Sequence, residues 1–129
     1  MELKNNIIGW VEIPVTNLER AIKFYETVFG FKMTRNEMGP LVMAWFPWVE
    51  KAPGATGSLV FHMEYYKPSA DGALVYFSSQ TGDLINELSK VEEAGGKIIQ
   101  PKTLIKEEIG YMALFIDTEG NRIALHSRA

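Results

Sequence analysis

Cysteine is absent from this sequence of 129 residues, and histidine occurs only twice. Without cysteine there is no disulfide framework, no thiolate nucleophile and no cysteine-based zinc or iron–sulfur site. Basic residues are not in excess either, because 13 lysines and arginines face 16 acidic residues and the net charge is −3. Binding to a nucleic-acid backbone needs a clustered positive charge, so we expect no nucleic-acid partner.

Long apolar runs are also missing. The longest run, at residues 111–116, is far shorter than the ~20 residues that cross a bilayer. Residues 1–6 carry charged and amide side chains instead of the apolar stretch of a signal peptide. We therefore expect no membrane partner and a cytoplasmic location.

The residues that are present predict one folded domain over residues 1–129. Hydrophobic residues make up 47% of the chain, which is enough to bury a core, and the length is close to the ~150 residues of a typical domain. Two modules of the same order divide the domain, at about residues 5–65 and 72–129. A linker around Pro68, Ser69 and Ala70 joins them.

The first module reads as strand, helix and three strands. Residues 7–15 are rich in β-branched and aromatic side chains, and Pro14 closes this strand. A helix follows, capped by Thr16 or Asn17 and ended by Gly30. The three predicted strands that complete the module are residues 31–35, 41–46 and 57–64.

The second module repeats this order. Residues 72–79 form its first strand, and a helix capped by Asp83 runs to Gly95 and Gly96. A shift of 66 residues places Gly30 on Gly96, as expected for an internal duplication. Three further strands follow, at residues 97–100, 111–116 and 122–127.

Three motifs within these modules carry a family resemblance. They are VEIPVTNLERA at residues 11–21, running into Phe24 and Tyr25, then VEEAGGK at residues 91–97, then DTEGNRI at residues 117–123. Together they resemble the vicinal oxygen chelate superfamily, which includes glyoxalase I, bleomycin-resistance proteins, fosfomycin-resistance proteins and extradiol dioxygenases. Lys102, Thr103 and residues 125–127 are similar to a branch of small glyoxalase-like proteins.

The resemblance implies an α+β fold with two tandem βαβββ modules. Their eight strands would form a curved, partly open sheet around a central cavity, with the helices outside. It also implies a homodimer, and the apolar side chains of Trp45, Phe46 and Trp48 beside a loop favour the same conclusion.

Strand alternation predicts which side chains face that cavity. In the first strand, Val11 and Ile13 would face the helices, which leaves Trp10 and Glu12 on the cavity side. The residues that we expect to line the cavity are Trp10, Glu12, Trp45, Phe61, Leu74, Tyr76, Phe115, Ala124 and His126.

Metal-dependent members of the superfamily place one ligand on each of four strands. The resemblance assigns these positions to Trp10, to Phe61 or His62, to Leu74 or a residue one position from it, and to Ala124. Indole, leucine and alanine side chains offer no lone pair to a metal ion. We therefore expect no metal at the usual site and no cofactor.

Three hypotheses about function follow. The first is a metal-independent protein of the bleomycin-resistance type that binds a small aromatic or cationic molecule against the aromatic residues and Glu12. The alternative is a glyoxalase-type lyase, isomerase or dioxygenase, in which Glu12 and His126 are catalytic and hold a displaced divalent metal with His62 or Glu64. The third is a ferredoxin-like βαββαβ dimer that binds a ligand or RNA, but three strands after each helix argue against it.

Overall fold

The computed structural model describes residues 2–129.

Helix α1, Leu18–Phe29, begins and ends at the residues that the sequence indicates. The Asn17 side chain accepts a hydrogen bond from the backbone N–H of Arg20, which is the usual N-cap arrangement. Gly30 ends the helix with a φ of 77°, a conformation that glycine adopts without strain. Buried side chains repeat along one face of α1, so this face packs against the core.

The strands form two four-stranded mixed sheets, one for each module. The first sheet has the order β1-β4-β3-β2 and the second has the order β5-β8-β7-β6. In each sheet the first and last strands of the module pair in parallel and the other pairs are antiparallel. The strands are β1 (Val11–Pro14), β2 (Thr34–Met38), β3 (Leu41–Trp45), β4 (Gly57–Phe61), β5 (Val75–Ser78), β6 (Lys97–Lys106), β7 (Gly110–Ile116) and β8 (Arg122–Ser127).

This arrangement confirms the predicted α+β fold with two βαβββ modules. The eight strands are divided between two sheets and do not close into a barrel. No helix in residues 2–129 has the length and apolar character needed to cross a membrane.

Several elements differ in length from the sequence prediction: β4 ends at Phe61 and β5 spans only Val75–Ser78, whereas β6 extends to Lys106. Strand β1 and helix α2 are also shorter than predicted. Strand β1 spans only four residues, because its partner strand β4 begins at Gly57, opposite Val11, and leaves residues 7–10 with no strand to pair with. Helix α2 covers only Ile85–Leu88, and turns that include i→i−3 hydrogen bonds continue the chain to Gly95. The apolar residues that predicted the longer helix, Leu84, Leu88 and Val91, are nevertheless buried.

The core lies between α1 and both sheets. Ile13, Ala44 and Leu59 stand opposite one another in the first sheet and face the helix. On the second sheet, the rings of Phe77 and Phe29 stack with centroids 4.9 Å apart, and Phe115 lies 5.8 Å from Phe24. Helix α1 therefore packs on the second module as well as on its own.

The β7–β8 turn holds the two modules together through a group of contacts that we call the inter-module clasp. In its first part, the buried carboxylate of Glu119 accepts hydrogen bonds from the backbone N–H groups of Thr16 and Asn17, at 2.9 and 2.8 Å. The Arg20 guanidinium also donates to this carboxylate, from Nε at 2.8 Å. These bonds satisfy backbone donors at the start of α1 that the helix itself leaves unpaired.

The second part of the clasp uses the two ends of the same turn. Tyr25 Oη donates to Asp117 Oδ2 at 2.6 Å inside the core, and burial, followed by the Asp117 charge, raises the pKa of Tyr25 well above its usual value. Asn121 Nδ2 donates to the Pro14 carbonyl at 2.8 Å. The DTEGN segment therefore fixes the end of β1 and the start of α1 against the second sheet.

Candidate ligand-binding site

The face of the first sheet that points away from α1 carries a row of polar side chains. Strand register places Glu12 of β1 opposite Ser58 of β4, and Ser58 opposite Trp45 of β3. Paired residues in adjacent strands point to the same side of a sheet. Since the neighbouring row, Ile13 with Leu59, packs against α1, the Glu12 row lies on the opposite face.

Neutral donors hold the Glu12 carboxylate in this row. Tyr66 Oη donates to Glu12 Oε1 at 2.6 Å, and Trp10 Nε1 donates to Glu12 Oε2 at 3.3 Å. The hydrogen bond to Glu12 raises the pKa of Tyr66, with smaller contributions from burial and from the carboxylate charge. Within residues 2–129 no cation lies within ion-pair distance of Glu12. The carboxylate is therefore fixed in place but not neutralised.

Aromatic side chains form a wall beside this carboxylate. The Trp10 and Trp45 rings meet edge to face, with centroids 5.5 Å apart. Trp10 is 41% exposed, whereas the Trp45 indole N–H is buried. On the same face, Met43 and Val60 are buried and fill the next row. The open part of the face is thus the end that carries Trp10 and Glu12.

Tyr66 and Ser58 take part in this arrangement, although the sequence predicts neither of them for the site. Tyr66 lies in the predicted linker, where no strand alternation indicates which way a side chain points. His62 holds the turn that precedes Tyr66, because its Nδ1 accepts hydrogen bonds from the backbone N–H groups of Glu64 and Tyr65, at 3.0 and 3.2 Å. The signal that could have found Ser58 is alternation along β4, because the adjacent residue Leu59 faces the core.

The face of the second sheet away from the core carries four of the predicted residues, namely Leu74, Tyr76, Ala124 and His126. Register places Tyr76 of β5 opposite Ala124 of β8, in the row beside His126. Tyr76 is 52% exposed, and alternation puts Leu74 on the same face. His126 Nε2 donates to the Ile109 carbonyl at 2.7 Å, and no hydrogen bond joins His126 to Glu12 within residues 2–129.

Two residues predicted to line the cavity face the core instead. Phe115 is fully buried and packs against Phe24 of α1, and Phe61 packs against the core cluster. The cause is strand register: Phe115 is paired with Ile123, and Phe61 with Val42, both on the helix side. At the strand-four position, the cavity-side residue is therefore His62.

The four positions that the resemblance assigns to metal ligands do not fit a divalent ion. Trp10, Leu74 and Ala124 have no donor lone pair. His62 is the one imidazole among them, and its Nδ1 lone pair already accepts two backbone hydrogen bonds. Across residues 2–129, no three His, Asp or Glu side chains come close enough together to hold a metal ion, so Glu12 and His126 are not brought into a common ligand set with a strand-four residue.

Surface hollows occur away from this face. One, of about 510 Å³, lies beside α1 between residues 19 and 32, and another, of about 380 Å³, lies along residues 3–6. Neither is lined by residues predicted for the cavity. The candidate site is assigned instead to the open end of the first sheet's outer face, because Glu12 is held there by neutral donors beside the partly exposed Trp10.

Comparison with known proteins gives consistent matches over nearly the whole chain. The profile of the family described as the Glyoxalase/Bleomycin resistance protein/Dioxygenase superfamily matches residues 7–125. A glyoxylase-like domain-containing protein of Didymella fabae is 31% identical over 131 residues, which cover 99% of this chain and 98% of that protein.

Solved structures share the fold at low sequence identity. A glyoxylase/bleomycin resistance protein/dioxygenase domain from Frankia sp. EAN1pec is 16% identical with a TM-score of 0.73, and the match covers 96% of this chain and 98% of that one. A glyoxalase/bleomycin resistance protein from Albidiferax ferrireducens is 17% identical with a TM-score of 0.67, covering 96% and 100%. Glyoxalase I from Zea mays is 20% identical with a TM-score of 0.67, covering 92% of this chain but only 45% of the maize chain.

Proposed function

Because this chain belongs to the glyoxalase/bleomycin resistance protein/dioxygenase superfamily, we propose that it binds a small aromatic cation at the open end of its first sheet. Binding there uses the Glu12 carboxylate and the Trp10 ring, and it uses no metal ion at the four family positions. The observation that carries this proposal is the state of Glu12, which two neutral groups hold and no cation neutralises within residues 2–129.

The chemistry of the site favours a cation over a neutral or anionic ligand. A carboxylate attracts positive charge, and the face of an indole ring attracts cations within ~6 Å of its centre. Trp10 stands next to the carboxylate and is partly exposed, so both groups can contact one ligand. An anion placed there would be repelled by Glu12 and is expected to bind poorly.

An aromatic group on the ligand would add contact area at the same site. The partly exposed ring of Trp10 supplies this contact surface. Burial of apolar area and ring stacking both favour an aromatic ligand over an aliphatic one of equal charge.

The same proposal includes the oligomeric state and the location of the protein: a homodimer in the cytoplasm.

Calorimetric titration of the intact chain tests the proposal. The probe is (2-phenylethyl)trimethylammonium, and 3-phenylpropionate and 2-phenylethanol are the anionic and neutral comparisons. We expect the cation alone to bind measurably, and Glu12→Gln to weaken its binding roughly tenfold, because the charge-assisted contact is lost.

Glu37→Gln is the matched control, because Glu37 is an exposed acid of the same sheet whose row, Glu37 with Val42, lies on the helix side. Its affinity for the cation should equal that of the unchanged chain. Equal binding of all three probes, or equal weakening by both substitutions, would overturn the proposal.

A further inference from the structure

Two hydrogen-bond donors beside Glu12 are left unused by the fold. Ser58 has no exposed surface, and its Oγ atom is buried, as is the Nε1 atom of Trp45. Neither atom finds a hydrogen-bond partner within the part of the chain that the structure describes. Most buried polar groups in proteins are paired, so two unpaired donors in one row indicate that a ligand supplies the acceptor.

The spacing of the row defines the shape of that ligand. Neighbouring strands lie about 4.8 Å apart, so Glu12, Ser58 and Trp45 follow one another across roughly 10 Å. The row therefore presents a carboxylate, then a hydroxyl, then an indole N–H. A ligand that matches it places its positive charge at one end and an oxygen acceptor about three bonds further along.

Trp10 contacts both ends of this row, Glu12 and Trp45, and is weakly held. Its ring edge rests on Trp45, and its hydrogen bond to Glu12 is long, at 3.3 Å. The residues that precede Val11 have no strand partner and are exposed. A small displacement of Trp10 would therefore open Ser58 Oγ and Trp45 Nε1 without disturbing a paired strand.

We propose that the ligand is an aromatic ketone whose cationic nitrogen lies one carbon from the carbonyl, and that it binds beneath a displaced Trp10. Its carbonyl oxygen accepts from Ser58 Oγ and Trp45 Nε1, and its cationic nitrogen contacts Glu12. This inference rests on the proposed function and adds the ligand class, since the carbonyl is recognised by groups that the aromatic cation alone does not use.

Two probes that differ only at the carbonyl test the inference. Phenacyltrimethylammonium carries a C=O where (2-phenylethyl)trimethylammonium carries a CH₂. We expect the ketone to bind the unchanged chain about tenfold more tightly, since a ligand acceptor satisfies two buried donors. Ser58→Ala and Trp45→Phe should each reduce the ratio of the two affinities, that for the ketone divided by that for the phenylethyl probe, toward one.

Further readouts separate a binding role from a structural one. Ser58→Ala should raise the melting temperature by a few degrees, because it removes a buried hydroxyl that lacks a partner. Ser78→Ala, at an exposed position of the second sheet, should change neither the melting temperature nor the ratio. Trp10 and Trp45 fluorescence should change on binding of the ketone in a Trp48→Phe background.

The outcomes distinguish this inference from the proposed function. If both probes bind with equal affinity and the ratio is insensitive to Ser58→Ala and Trp45→Phe, the ketone inference is overturned and the proposed function stands. If neither probe binds, both are overturned. A ratio near ten that collapses in both variants supports the inference.

Discussion

Glu119 shows how much of this fold depends on single polar side chains. Its carboxylate is buried at the clasp and accepts hydrogen bonds from two backbone amides and from Arg20. Burial on its own would raise the pKa of Glu119, but hydrogen bonds from Arg20, Asn17, Thr118 and Thr16 outweigh it and lower that pKa from 4.5 to about 2. The folded chain therefore strongly prefers the ionised form of this residue.

This preference predicts a loss of stability in acid. A carboxyl group whose folded-state pKa lies below its unfolded value stabilises the fold at pH values above the unfolded pKa. The contribution of Glu119 should therefore be complete above about pH 4.5 and disappear as the pH falls to about 2. The measurement is the free energy of unfolding in urea between pH 7 and pH 2.

Glu119→Gln provides the comparison for this pH series. The variant should be less stable at pH 7, because an amide makes weaker hydrogen bonds to Arg20 and to the helix N-terminus. Its stability should fall less steeply than that of the unchanged chain between pH 4.5 and 2. Parallel pH curves for the two proteins would show that Glu119 titrates in the same way folded and unfolded.

At the scale of elements, the helix ends were predictable and the strand faces were only partly so. Asn17 and Gly30 act through bonds to residues three or four positions away, and such local signals can be read from the sequence. The faces of β4 and β7 depend on register with distant strands. This is why Phe61 and Phe115 face the core, although the sequence predicts them for the cavity.

The site was predictable in the same uneven way. Glu12, Trp10 and Trp45 come together because alternation along β1 and the order of the strands place them on one face. Tyr66 reaches Glu12 from a segment without regular structure, across 54 positions of sequence. No periodic pattern marks a contact of that kind.

The parallel pairing of β1 with β4 depends on a glycine at the first paired position. A Cβ atom at Gly57 would overlap the backbone carbonyl of Val11. We expect Gly57→Ala to lower the free energy of unfolding by about 2 kcal/mol or more. The overlap is with a backbone carbonyl, which cannot change rotamer as a side chain can. Equilibrium unfolding in urea measures the loss.

Gly9→Ala is the control for this substitution. Gly9 precedes β1, and a Cβ atom there would meet nothing within 4 Å. The variant should unfold at the same urea concentration as the unchanged chain, within about 0.5 kcal/mol. A comparable loss in both variants would assign the effect to glycine itself and not to the contact between β1 and β4.

At the scale of the whole molecule, one end of the first sheet carries exposed apolar residues. Ile7 and Ile8 are 80% and 63% exposed, and Trp48 and Val49 are 61% and 67% exposed. Thr56 brings the two segments to the same end, because its carbonyl accepts from Val11 N and its hydroxyl donates to the Pro47 carbonyl. A surface of this kind favours a partner, and we expect a second copy of the chain.

Sedimentation velocity tests the dimer. The chain has a mass of 14.5 kDa, so a dimer should sediment at twice that mass. Trp48→Ser combined with Val49→Ser should shift the protein toward the monomer. Ile85→Ser, which removes an exposed apolar residue on α2, should leave the dimer intact; a monomer at micromolar concentration in the unchanged protein would contradict the expectation.

The clasp also has a consequence for how the chain is made. Its bonded pairs are separated by as many as 92 to 107 positions, from Tyr25 with Asp117 to Pro14 with Asn121. At a synthesis rate of about 5 to 20 residues per second, α1 leaves the ribosome roughly 5 to 20 seconds before the turn that binds its N-terminus. During that interval the aromatic face of α1 has only half of its partners, so the nascent first module is the stage at which a chaperone would be needed most.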